Sequence, residues 1–302
     1  MTRKPEAAMR HDAEQEAAEK AFFAFIDGLN ESTKAPRRFR EILEAAEDSG
    51  DYETGLERLK RYVTERETSL LRVDVPTVQE GVEVRPEDVV TMTQEIRNRI
   101  NTKRFFLGSG NTASVHTLKT PGATNGWVCA KIITNRQRYK EGRSVMEEMG
   151  FLDRLSDLEA QGVRTPMPFF AFKTASMEGL VMEHLDACSL EHIINGQTTE
   201  NIKDILPEQF DITMFFDRLR AYLSRMHERH IAHGDLHLGN IMIDRATGLP
   251  YIIDFGKARD LRTEESPRTF NRDGKAWDRA MVLSSEKQLR EWMSTKGLTD
   301  KK

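Results

Sequence analysis

The sequence predicts an α+β fold in two lobes, a β-rich lobe followed by a mostly helical one, with a helical region ahead of both. Three observations predict it. The first hundred residues carry apolar residues at helical spacing. From about Asn101, short β-like runs separated by glycine turns take over. Beyond Asp211, long helical patterns flank a compact loop, "HGDLHLGN", at His233–Asn240. The predicted boundaries are 1–98 for the helical region and its linker and 99–302 for the two-lobed domain, its lobes at 99–185 and 186–302.

Each element follows from its own pattern. "EAAEKAFFAFIDGL" places Phe22, Phe23, Ile26 and Leu29 near one helical face. "RRFREILEAAEDSGDYETGLERLKRYV" reads as two helices broken at Ser49-Gly50, with Phe39, Ile42 and Leu43 on one stripe and Leu56, Leu59 and Tyr62 on the next. "VDVPTVQEGVEVRPEDVV", with Pro76, Gly81 and Pro86, reads as a linker or short extended pieces. "RFFLGSG" and "NTASVHTLK" are strands joined by a glycine turn, and "GWVCAKIIT" is a third, opened by a "PGATNG" turn. "RSVMEEMGFLDRLSDLEAQG" is helical, with Val145, Met149, Leu152 and Leu155 on one side. Two strands follow, "MPFFAFKT" and "EGLVMEHL", and then the helices "DITMFFDRLRAYLSRMHERH" and "DGKAWDRAMVLSSEKQLREWM". Between those helices lie the loop and two short strands, "IMID" and "YIIDFG".

The chain has 302 residues, 38% hydrophobic and 31% charged, with a formal net charge of -4. That balance gives no general case for binding nucleic acid or an anionic membrane. No apolar run approaches the ~20 residues of a membrane span, and the charged start lacks the apolar stretch of a Sec-type signal peptide. Two cysteines, Cys129 and Cys188, argue for a reducing compartment, hence a cytoplasmic protein.

The chemistry these residues suit is phosphoryl transfer, which needs phosphates held, their charge neutralised and an acceptor oriented. "FLGSGNTASV" has Gly108 and Gly110, then Ala113 and Val115, so backbone amides can approach phosphate oxygens. A strand rather than a helix follows, which excludes a dinucleotide-binding turn. Lys131 sits in an apolar strand, "VCAKII", where its head needs a partner. Glu148 on the following helix is the candidate partner, with Glu147 the fallback. Asp235 is placed to accept or orient the proton of an attacking hydroxyl, and His233 to shape the turn as a packed residue. Asn240, and Asp254 fourteen residues further on after a buried strand, are the candidate metal ligands.

In order and spacing, Gly108 and Gly110, Lys131, Glu148, Asp235, Asn240 and Asp254 resemble the protein-kinase-like superfamily. The resemblance covers about Asn101 onward. It implies a bilobal protein-kinase-like fold with ATP and Mg2+ or Mn2+ in the cleft. It places Ser109, Val115 and Ala130 with the glycine turn and Lys131 at the nucleotide. By position, "LVMEHLDACSL" resembles the hinge, with Met182 at the back pocket and Glu183 to Leu185 at the adenine. "GKAWDRAMVL" resembles the central helix of the second lobe, which makes Asp278 the acid that braces the loop.

The departures carry information too. Gly234 stands where many relatives have an arginine that binds a phosphorylated loop, so activation by loop phosphorylation is not expected. His237 stands where they have a lysine that steadies the transferred group. No A-P-E segment follows, and only 46 residues follow Gly256, which implies a truncated helical second lobe. These features resemble minimal and atypical kinases, including bacterial effector and RIO-like kinases and aminoglycoside phosphotransferases. The resemblance implies a protein serine/threonine kinase, the alternatives being a small-molecule kinase or a pseudokinase scaffold. Delivery into a host cell without a Sec-type signal is compatible with it. The N-terminal helices are read as a module for a substrate or partner, or as an extension packed on the kinase lobe. His227, His230, His233 and His237 are spaced three, three and four apart, unlike the i, i+4 pair of a zinc helix, and are read as solvated helix-end residues.

Overall fold

The computed structural model describes residues 6–28, 37–74, 89, 91–93, 95–96, 106–109, 113–119, 127–133, 144–158, 162–174, 177–196, 206, 210–262 and 273–298. Gly110, Leu29, the "PGATNG" turn and the linker with Pro76 and Pro86 lie outside them. The chain divides into two compact units. One comprises Met1–Val73, Glu83–Phe106 and Phe172–Glu178; the other comprises Asp74–Val82, Leu107–Ala171 and Gly179–Lys302.

In the first unit, helices α1 (Glu6–Gly28) and α2 (Arg37–Ser49) both pack on α3 (Tyr52–Leu70), and a short strand β1 (Arg72–Asp74) follows. The apolar stripes read from spacing meet in one core of Phe22, Phe39, Ala46, Leu59 and Val63. Gly50 separates α2 from α3 because its φ of +68° is open to glycine at little cost.

The remaining elements follow in chain order. Strands β2 (Phe106–Ser109), β3 (Ala113–Lys119), β4 (Trp127–Ile133), β5 (Pro168–Lys173) and β6 (Glu178–Glu183) are neighbours in the order β2-β3-β4-β6-β5. Antiparallel registers set Val115 opposite Lys131 and Lys131 opposite Leu180, and Cys129 opposite Met182. Residues opposite one another share a face. Helix α4 (Val145–Leu155) begins with a capping box: Ser144 Oγ accepts from the Glu147 amide and the Glu147 carboxylate accepts from the Ser144 amide. It buries Val145, Met149, Leu152 and Leu155, as its spacing predicts. It stops short of the predicted pattern because the Ser156 hydroxyl turns back onto the Asp153 carbonyl.

Beyond the sheet, β7 (Ala187–Ser189) leads into α5 (Leu190–Ile194), and α6 (Ile212–Glu228) packs on α7 (Gly274–Thr295). β8 (Ile231–Ala232) pairs with β11 (Arg259–Asp260), and β9 (Ile241–Asp244) lies between β7 and β10 (Pro250–Ile252). A 3-10 turn, Leu238–Asn240, precedes β9. On α6, Phe215, Phe216, Leu219, Tyr222, Leu223 and Met226 are buried at i, i+1, i+4, i+7, i+8 and i+11, one stripe facing α7 and the strands. Each such side chain contributes about 1.5–3 kcal/mol by leaving water. The fold is α+β, with a helical N-terminal region, as the sequence predicts.

Candidate active site

Strand alternation puts Lys131 on an inner face, 7% exposed, where an ammonium without a counter-charge would be costly. Its Nζ lies 2.8 Å from both carboxylate oxygens of Glu148 and 2.6 Å from Oδ1 of Asp254. The choice between neighbouring acids is decided by helix geometry: Glu147 is exposed and serves the capping box, whereas Glu148 is on the inner stripe of α4. Glu148 also accepts from the Phe255 amide at 3.1 Å, tying α4 to the segment after β10.

The charges are mutually dependent. Burial pushes Glu148 up from the ordinary carboxylate range, and Lys131 partly offsets this. Burial also opposes ionisation of Asp254, but the charge and bond of Lys131 and the Gly256 amide outweigh it and hold the acid at about 2. Lys131 is itself raised, because Glu148 and Asp254 outweigh its burial. The Asp254 carboxyl is still 46% exposed, so one edge of an ionised acid faces outward.

The loop between β8 and β9 is held from beneath by Asp278 on α7. Asp278 accepts from the His233 amide at 2.8 Å and the Gly234 amide at 3.0 Å. The His233 ring is buried against Phe255, with centroids 4.7 Å apart. Its Nε2 donates to the Ile253 carbonyl and its Nδ1 accepts from the Asp235 amide. Burial lowers its pKa, which favours the neutral ring these bonds require. Asn240 donates through Nδ2 to the Asp235 carbonyl at 2.9 Å, leaving its amide oxygen to accept. The Ile253 amide bonds to the Asn240 carbonyl at 3.1 Å, where Ile241 pairs with Ile252, so Asp254 leaves β10 one residue past this bond.

Gly234 has a φ of +77°, and a Cβ there would stand 2.6 Å from the Lys257 carbonyl oxygen. The turn therefore excludes an arginine on steric grounds. Lys257 also pairs through Nζ with Asp235 Oδ2 at 2.9 Å.

Of the other predicted residues, Val115 and Met182 share the Lys131 face by register. Ala130, expected at the nucleotide, does not: it pairs with His116 and Val181 on the opposite face, and Cys129 is the residue of β4 opposite Met182 on the Lys131 face. The Glu183 amide is committed to the Met167 carbonyl at 2.8 Å, and Leu185 is half-buried past the end of β6. Gly108 and Ser109 form the end of β2. The histidine reading needs correction as well. His227 is buried, its Nε2 3.0 Å from Asp278 Oδ2, because the turn of α6 that carries it faces α7. Of the four, only His230 is exposed. Sequence reasoning missed His227 and Lys257 as members of the site. The apolar i−1 and i−4 neighbours of His227, Met226 and Leu223, were the available signal for the first.

A cation–carboxylate cluster on one face of a β-sheet, joined to an Asp–Asn loop braced by a helix acid, has the parts that phosphoryl transfer needs. The family model described as "Protein kinase domain" matches residues 102–280, and the chain belongs to that family. A serine/threonine-protein kinase, nekl-2, of Caenorhabditis elegans is 26% identical over 49% of this chain and 41% of its own length. A probable bifunctional tRNA threonylcarbamoyladenosine biosynthesis protein of Methanosphaera stadtmanae is 32% identical over 41% of this chain and 22% of its own. A putative serine/threonine-protein kinase receptor of Brassica oleracea is 36% identical over 29% and 10%. The chain thus spans less than half the length of these curated relatives. Among the described residues no helix is long and apolar enough to cross a membrane.

Proposed function

We propose that the chain is an ATP-dependent protein kinase that phosphorylates Ser/Thr hydroxyls with Mg2+ or Mn2+. The observation that carries this reading is the placement of Lys131 between Glu148 and Asp254, with Ile253, the residue before Asp254, bonded to Asn240 and Asn240 bonded to Asp235. The residues suit a divalent cation: the open edge of an ionised Asp254 and the amide oxygen of Asn240 are hard oxygen donors. A bound cation would supply charge neutralisation for the phosphates. Lys131 orients the nucleotide phosphates, and Asp235 takes the proton of the acceptor hydroxyl. The hydroxyl oxygen forms the new bond to the γ-phosphorus as the bond to the β–γ bridging oxygen breaks. The electron pair stays on that oxygen in ADP.

The tight turn at Gly234 supports activity without a phosphorylated activation segment, since no arginine can occupy it. The test uses the purified chain with γ-labelled ATP, with and without Mg2+ or Mn2+. Label on the chain itself or on myelin basic protein is expected, and should vanish in Asp235→Ala. Label only on a small acceptor such as an aminoglycoside would replace this reading with a small-molecule kinase. No metal-dependent transfer to any acceptor would leave a scaffold.

A further inference from the structure

We infer that Lys257 is a catalytic residue, the cation that meets the transferred phosphoryl group on the acceptor side. The inference rests on the kinase reading above and goes beyond it by assigning a residue that the motifs do not mark.

One electrostatic requirement and three observations carry it. The transferred group bears negative charge on its equatorial oxygens, and a fixed positive charge beside the acceptor stabilises it most when aimed at the reacting atoms. Lys131 cannot supply that charge on the acceptor side, since it is buried and shared between Glu148 and Asp254. His237 cannot supply it from its place in the loop. Its Nδ1 accepts from the Gly239 amide at 3.0 Å, and a proton on Nδ1 would break that cap. Lys257 reaches Asp235 Oδ2 at 2.9 Å, so its ammonium stands at the group assigned to the acceptor proton.

The pair is not there for stability. Lys257 is 63% exposed, and exposed pairs contribute about 0–1 kcal/mol. The backbone nevertheless fixes its position. The Lys257 carbonyl sits in the space that a Cβ at Gly234 would need, and the Ala258 amide closes a turn onto the Phe255 carbonyl at 2.9 Å. The two departures of the loop are thereby connected: Gly234 lets the segment after Asp254 approach, and that segment brings a lysine to the place that position 237 leaves without a cation. When the acceptor hydroxyl occupies Asp235, the Lys257 ammonium exchanges its contact with Oδ2 for one with an equatorial oxygen of the γ-phosphoryl group. No bond to nitrogen forms, and the proton and electron pair move as described above.

The experiment compares wild type, Lys257→Met and Lys257→Arg. Steady-state transfer from ATP to myelin basic protein gives kcat and the KM for ATP. Lys257→Met should lower kcat about 10²–10³-fold with the KM for ATP within about threefold, the signature of lost transition-state charge. Lys257→Arg should keep kcat within about tenfold of wild type, because a point charge suffices where no bidentate geometry is built. A second readout needs no acceptor: the rise in melting temperature that aluminium fluoride adds to Mg-ADP, where the fluoride complex mimics the transferring group. That increment should be present in wild type and Lys257→Arg and absent in Lys257→Met. A Lys257→Met enzyme with kcat within threefold of wild type, or an equal increment in all three proteins, overturns the proposal. Wild type inactive on the basic protein but with an increment lost in Lys257→Met sinks the protein-acceptor reading and sustains this one.

Discussion

Lys131 illustrates how one side chain can hold opposing charges in place. Removing its head leaves Glu148 and Asp254 near one another with no cation between them, and truncating one partner of a buried pair costs about 3–5 kcal/mol. Lys131→Met should therefore abolish transfer and lower the unfolding free energy by about that much, read as a fall in the urea midpoint with the m-value unchanged. Asp254 contributes to the acid limb of stability. Its folded pKa of about 2 lies below the ordinary 3.8, so its contribution is complete above pH 3.8 and is lost as pH falls toward 2. Glu148 is shifted the other way and does not add to this loss. Urea midpoints at pH 5, 4 and 3 should fall more gently for Asp254→Asn than for wild type.

At the scale of elements, the loop after β8 depends on α7 through a single carboxylate. Asp278→Ala leaves the His233 and Gly234 amides without their acceptor, at about 1–3 kcal/mol for each unpaired group. The expected outcome is a loss of kcat larger than the change in the KM for ATP, read beside the urea midpoint. Gly234→Ala should be as damaging, since it combines a strained φ with a collision against backbone. The sequence allowed most of these elements, and the positions of Lys131, Glu148, Asp235, Asn240 and Asp254 on them, to be read, because each sits at a fixed step from a strand or turn that periodicity marks. Four short elements, β7, α5, β8 and β11, were not legible, being two to five residues long, and the three strands among them form by pairing with distant partners. The same reason hides His227, whose burial depends on a carboxylate 51 residues downstream. Ala130 was grouped with Lys131 at the nucleotide from the motif, although strand alternation alone sets these adjacent residues on opposite faces, as the registers with β3 and β6 also have them.

Taken whole, the second unit has a continuous apolar core running from Ile133 on β4 through α4 and α6 to Met293 on α7. Nucleotide bound at Lys131 and Asp254 would thus stabilise elements from the first strand group to the last helix. ATP with Mg2+ at a hundredfold excess over Kd should stabilise the unit by about 2.7 kcal/mol. The metal-dependent part of the corresponding thermal shift should disappear in Asp254→Asn. Cys129 and Cys188, the two cysteines of the chain, are both buried. Burial pushes the Cys129 thiol up to about 12, so thiolate is scarce at neutral pH. A maleimide dye should therefore ignore the native protein and react only after denaturation. Leu283→Cys, at a position on α7 that is 60% exposed, would then accept one fluorophore with no native cysteine removed, a ready-made handle for following the protein's motions by single-molecule optics.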